Sequence, residues 1–100
     1  MPTHGRARQV TIARLQDREP FQRKGFSMTA VDGAVSTTGR LPQQYADQYN
    51  MAAKHGQVAY TVLSYSTPIA WVTANGNVIV PDVKYSQTTT QQQSLCRVYL

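Results

Sequence analysis

The sequence is poor in reactive side chains. A single cysteine, Cys96, among 100 residues rules out an intrachain disulfide and leaves no second thiol to share a structural metal. Two histidines, His4 and His55, and five carboxylates, Asp17, Glu19, Asp32, Asp47 and Asp82, complete the supply of metal ligands and acid–base groups. Only Asp17 and Glu19 lie close together, among arginines, so paired-carboxylate chemistry is not indicated. A zinc site needs three or four ligands held in one shell, and two histidines with one distant cysteine do not predict one. No apolar run reaches the roughly 18 residues of a membrane span. The opening Met-Pro-Thr-His-Gly-Arg is not followed by the apolar stretch of a secretion signal. The expectation is a cytoplasmic protein with no cofactor, no metal and no membrane partner. Charged residues are also scarce, at 15% of the chain, well under the usual quarter. Eleven Gln and eleven Thr are left to cover much of the surface.

What charge there is lies at one end. The net charge is +5 and the pI about 9.7. Residues 1–24 hold Arg6, Arg8, Arg14, Arg18, Arg23 and Lys24 against Asp17 and Glu19, an excess of +4. Residues 25–100 hold four basic and three acidic side chains and are nearly neutral. Such a bias favours phosphates, acidic proteins or anionic headgroups as partners.

The length is that of one domain able to bury its own core. Residues 1–8, with glycine, proline and no apolar periodicity, read as a flexible basic arm, and residues 9–100 as a single α+β domain. Gln9–Arg14 alternates and is β-branched, which predicts a short strand, with a helix over residues 6–18 as the rival because Ala, Arg, Leu and Gln are good helix formers. Phe26–Val31 reads as a second strand, closed by the Asp32-Gly33 turn, and residues 33–40 as a loop. Pro42 suits a first helical turn. Tyr45, Tyr49 and Ala52 or Ala53 then recur at helical spacing before Gly56, the place for a left-handed cap. Val58–Tyr65 is dense in β-branched and aromatic residues. Ser66-Thr67-Pro68 is expected to interrupt the sheet before Ile69–Thr73 resumes it. Asn75-Gly76 is a hairpin signal leading to the return strand Val78–Val80. Thr90 with Gln93 matches a capping box, and Leu95, Val98 and Tyr99 share one face of a short terminal helix. The predicted architecture is a small, mostly antiparallel sheet with one central helix and a short C-terminal helix.

No constellation predicts catalysis. Cys96 beside Leu95 reads as a small buried apolar residue, and a thiol nucleophile needs a base within hydrogen-bond reach. Gly33 to Gly39 is one residue too long for a phosphate-binding loop, and Arg40-Leu41 replaces its Lys-Ser or Lys-Thr. The hydroxyls of Ser86, Thr88, Thr89 and Thr90 are accounted for by capping and turn hydrogen bonds. Two sets remain as candidate partner-binding residues. Arg6, Arg8, Arg14, Arg18, Arg23 and Lys24 could track a phosphate backbone, with Phe21 and Phe26 interleaved. Tyr60, Tyr65 and Tyr85 offer large area with a polar tip, the chemistry of interface hot spots, while Trp71 belongs to the core.

The stretches Tyr65-Ser66-Thr67-Pro68-Ile69-Ala70-Trp71 and Val80-Pro81-Asp82-Val83-Lys84-Tyr85-Ser86-Gln87-Thr88-Thr89-Thr90, then Gln93, together with Thr38-Gly39-Arg40-Leu41-Pro42, resemble a small family of actinobacteriophage and actinobacterial proteins. These carry a domain of unknown function of the DUF8033 type. The resemblance covers roughly residues 38–95, and Gln92 stands where the family pattern often has a histidine. It implies phage origin, a host-cytoplasm setting and a small accessory role, and supplies no activity.

The leading expectation is therefore a non-enzymatic accessory protein that binds a host macromolecule, foremost a protein. A nucleic-acid-binding module built on the basic N-terminal segment is the alternative. Sheet edges in so short a chain also make a homodimer an open arrangement.

Overall fold

The computed structural model describes residues 3–100, with side chains from residue 7 onward. In chain order the elements are α1 (Thr3–Asp17), β1 (Phe21–Arg23), a 3-10 turn (Lys24–Phe26), β2 (Met28–Asp32), α2 (Gln43–Lys54), β3 (Val58–Ser64), β4 (Thr67–Thr73), β5 (Val78–Ile79) and α3 (Gln87–Tyr99). The five strands pair in sequence order as one antiparallel meander. The fold is thus α+β, as expected, with three helices around the sheet.

Both faces of that sheet are covered. Side chains alternate along a strand, so Trp71 points away from its neighbours Ala70 and Val72. Ala70 and Val72 join Tyr60, Val62, Met28 and Ala30 in a core roofed by Leu15 of α1 and by Leu95 and Cys96 of α3. On the opposite face Trp71 and Val58 pack with Leu41 and with Ala46 and Tyr49 of α2. The Tyr49 and Trp71 rings meet edge to face at 4.9 Å. Tyr49 is also the polar hinge of this layer. The Val35 N–H donates to its hydroxyl at 2.8 Å, and that hydroxyl pairs with Thr61 Oγ1 at 2.8 Å. Thr61 in turn donates to the Gly33 carbonyl, so Tyr49 is the donor toward Thr61. One chain of hydrogen bonds fastens the 33–40 loop to both α2 and β3.

Four local expectations are corrected. The strand expected over 9–14 is helix: Thr11 and Leu15, one helical turn apart, are buried with Ile12 packed beside them, a helical period that prevails over the short alternation. Residues 3–8 of the expected arm are the first turns of that helix; residues 1 and 2 lie outside the described residues. Thr67 and Pro68 do not interrupt the sheet. They open β4, and Pro68 sits opposite Leu63 where the register shifts, a bulge being where an interior strand tolerates proline's missing donor. The capping box also fails: α3 begins earlier, with Ser86 Oγ accepting from the Thr89 N–H at 3.1 Å. The glutamine expected to cap is instead buried, Gln93 Nε2 donating to the carbonyl of Pro81 at 3.0 Å and, longer, to that of Ile69. Because α3 meets the sheet along Thr89, Gln92, Gln93 and Cys96, Val98 turns outward and is 70% exposed. β1 was not read from the sequence; it pairs Phe21–Arg23 with Ala30–Met28.

Candidate functional site

α3 borders two clefts, one along its C-terminal half and one at its N-terminal end. The first has a volume of about 590 Å³. Gln91, Ser94, Leu95 and Val98 line it from α3, at spacings of three, one and three that put them on one helical stripe. Arg8 enters from α1, and Arg23, Gly25 and Phe26 from the segment after it. The Arg23 guanidinium lies over the Phe26 ring, 4.5 Å from its centre, a cation–π contact. Burial, and after it the charge of Arg8, hold Arg23 below its ordinary pKa. Two like charges thus share one cleft, and neither meets a carboxylate among the described residues, where the ion pair formed is Arg14 with Glu19 at 3.1 Å.

The second cleft, about 500 Å³, is walled by the 39–40 turn, the β3–β4 hairpin and the start of α3. Gly39 is required there: its φ is +51°, and an added Cβ would lie 2.8 Å from the Ser66 carbonyl oxygen and collide with Thr67 Oγ1. This close approach lets the Arg40 N–H donate to Thr67 Oγ1 at 2.8 Å, which sets Arg40 on the cleft wall. Tyr65 turns the hairpin with φ +56°, a conformation costly for a residue with a bulky side chain, and is 73% exposed. Tyr85 lines the same cleft. Its hydroxyl is buried without a partner, and burial, with Tyr45 nearby, raises its pKa.

The residues singled out from sequence are divided by the fold. Arg8 and Arg23 meet at the first cleft, Tyr65 and Tyr85 at the second. Arg14 is engaged by Glu19, and Arg18 Nη2 donates to the Leu100 carbonyl at 3.1 Å. Lys24 is exposed in the 3-10 turn. Arg6 belongs to α1, and its side chain lies outside the described residues. Tyr60, expected on a contact surface, is instead in the core, its hydroxyl donating to the Glu19 carbonyl at 2.7 Å. The reason is a register shift between Val58 and Tyr60, which turns Tyr60 toward the layer of α1 and α3. Sequence reasoning missed Arg40, Gln91 and Ser94. The stripe on α3 was readable from its spacing, whereas Arg40 becomes a site residue only through the folding of residues 39–40 onto the hairpin.

Redox and nucleophilic chemistry find little footing at Cys96, whose burial pushes the thiol up to about 12; the thiolate, not the thiol, is the nucleophile. No three His, Cys, Asp or Glu side chains converge among the described residues. Nor is any described helix long and apolar enough to cross a membrane.

Comparison with known proteins places part of this geometry. A model of a family of unknown function, DUF8033, matches residues 39–91. That span holds every residue lining the second cleft but only Gln91 of the first. No curated protein and no solved structure matches the chain.

Proposed function

The chain belongs to the DUF8033 family, a family of unknown function, and from that premise we propose that it is a non-enzymatic binding module that holds an acidic segment of a partner protein in the cleft between α1 and α3. The observation that carries this reading is the pairing of Arg8 and Arg23 in one cleft with no carboxylate between them. Two guanidiniums that repel each other gain most from an incoming carboxylate, because it supplies charge-assisted, bidentate hydrogen bonds where charge is otherwise uncompensated. The rest of the lining is apolar or neutral. Phe26, Leu95 and the outward Val98 offer a seat for an apolar residue beside the acidic one, the usual anatomy of a protein contact with an apolar centre and a charged rim.

A protein partner is favoured over nucleic acid by the dispersal of the remaining cations. At 3.6 residues per turn, Arg14 sits on a different side of α1 from Arg8, while Arg18 lies just past the helix end at Asp17, and both are engaged within the chain. Among the described side chains, no row of free arginines runs along α1 to follow a phosphate backbone. The resemblance to actinobacteriophage proteins supports an accessory role in a host cytoplasm, with a host protein as the partner.

The test is retention of a partner from host lysate, with and without nuclease, at moderate salt, wild type against Arg8→Gln/Arg23→Gln. The reading expects one retained protein, lost in the double variant. Retention that disappears with nuclease, or that survives the double substitution, overturns it.

A further inference from the structure

We propose that the cleft at the N-terminal end of α3 is a separate site for a small phosphate ester, bound by Arg40 and a chain of three hydroxyls and covered by the Tyr65 ring. The cleft, about 500 Å³, falls in the size range of small-ligand pockets. Arg40 is its one ionised lining residue, and no carboxylate faces it, so the cleft selects for an anion.

The second observation is a count of protons. Ser86 Oγ donates to Thr89 Oγ1 at 3.1 Å, and Thr89 Oγ1 pairs with Ser64 Oγ at 3.2 Å. Three hydroxyls carry three protons, and this chain uses two. Whichever of Ser64 and Thr89 donates to the other, the remaining hydroxyl has a proton with no acceptor. Both residues are almost fully buried, 3% and 5% exposed, and both line the cleft. An unmet donor in such surroundings is costly, and an oxygen of a bound phosphate meets it.

Tyr65 indicates that the phosphate arrives on a larger group. A tyrosine held at φ +56° with most of its side chain in solvent contributes strain and little packing. Such strain is typical of residues kept for what they contact. At the rim of the cleft its ring offers a face to an organic group esterified to the phosphate. The site is independent of the α1–α3 cleft, so either assignment can fail alone.

The experiment titrates the full chain with inorganic phosphate and with phenyl phosphate, at ionic strength held constant with chloride, and follows backbone amide shifts by NMR. Saturable shifts are expected at Gly39, Arg40, Ser66, Ser86 and Thr89, with phenyl phosphate bound more tightly. Arg40→Gln weakens both ligands by about tenfold or more, and Arg40→Lys by less. Tyr65→Gly raises the Tm of the free protein, leaves inorganic phosphate binding in place and removes the preference for phenyl phosphate. Shifts confined to the Arg8–Arg23 cleft, or affinity unchanged in Arg40→Gln, overturn the site. Equal affinity for the two ligands, or a preference that survives Tyr65→Gly, overturns the ester assignment.

Discussion

Tyr49 illustrates how much a single polar atom carries in a core this small. Its hydroxyl accepts from the Val35 N–H and donates to Thr61, while its ring packs against Trp71. Tyr49→Phe keeps the ring and leaves the Val35 amide without its acceptor, at a cost of about 1–3 kcal/mol. Chemical denaturation should show a lowered midpoint with an unchanged slope, and amide exchange at Val35 should quicken. The helical position of Tyr49 was legible from its spacing to Tyr45 and Ala52. Its role as a junction was not, because it depends on which turn of the 33–40 loop comes to rest above it. Trp71, placed in the core from sequence, is fully buried there, on the face opposite Ala70 and Val72.

Among the elements, α3 is held to the sheet by polar as well as apolar contacts. Gln92 and Gln93 are buried on its inner face. Gln92 Nε2 donates to the Phe26 carbonyl, and Gln93 Nε2 reaches carbonyls of two separate segments, at Pro81 and Ile69. Gln93→Leu preserves the volume roughly and strands those carbonyls, so it is expected to lower stability by about 1–3 kcal/mol, read as a lower Tm in calorimetry. The exposed Gln91→Leu should leave the Tm near that of wild type. A run of three glutamines gives no hint, from sequence, of which side chains are structural; that follows only from where α3 begins. With Ser86 as the cap rather than Thr90, the inward face is Thr89, Gln92, Gln93 and Cys96. The same dependence on neighbours explains α1. Residues 9–14 alternate well enough for a strand, yet the apolar groove between β1 and α3 accepts Leu15, Ile12 and Thr11 only at helical spacing.

For the molecule as a whole, burial of protonated groups makes the fold sensitive to base. Burial raises the Cys96 thiol from 9.0 to about 12 and, before the smaller effects of nearby Cys96, Asp32 and Glu19, raises the Tyr60 phenol well above its ordinary 10.0. The unfolded chain loses these protons at the ordinary values while the native state keeps them, so above pH 9 the native state binds more protons and rising pH favours unfolding. The contribution is intact below pH 9 and is lost as the pH climbs past it. The Tm is therefore expected to fall through the alkaline range, and less steeply at its onset in Cys96→Ala. A flat alkaline profile would contradict the burial of these two groups.

The candidate sites were legible only in their ingredients. The excess of arginine before residue 25 is plain in the sequence, but it becomes a cleft because α1 is a helix lying beside α3, which brings Arg8 to Arg23 and removes Arg14 and Arg18 from the set. The pairing of those two charges is the point on which the functional account turns. Calorimetric titration of the protein with an acidic, leucine-containing peptide, at low and at raised salt, measures it directly. The account predicts binding that weakens as salt rises and drops by about tenfold or more in Arg8→Gln/Arg23→Gln, with the Tm of the free double variant no lower than that of wild type. Equal affinity in wild type and double variant would contradict it.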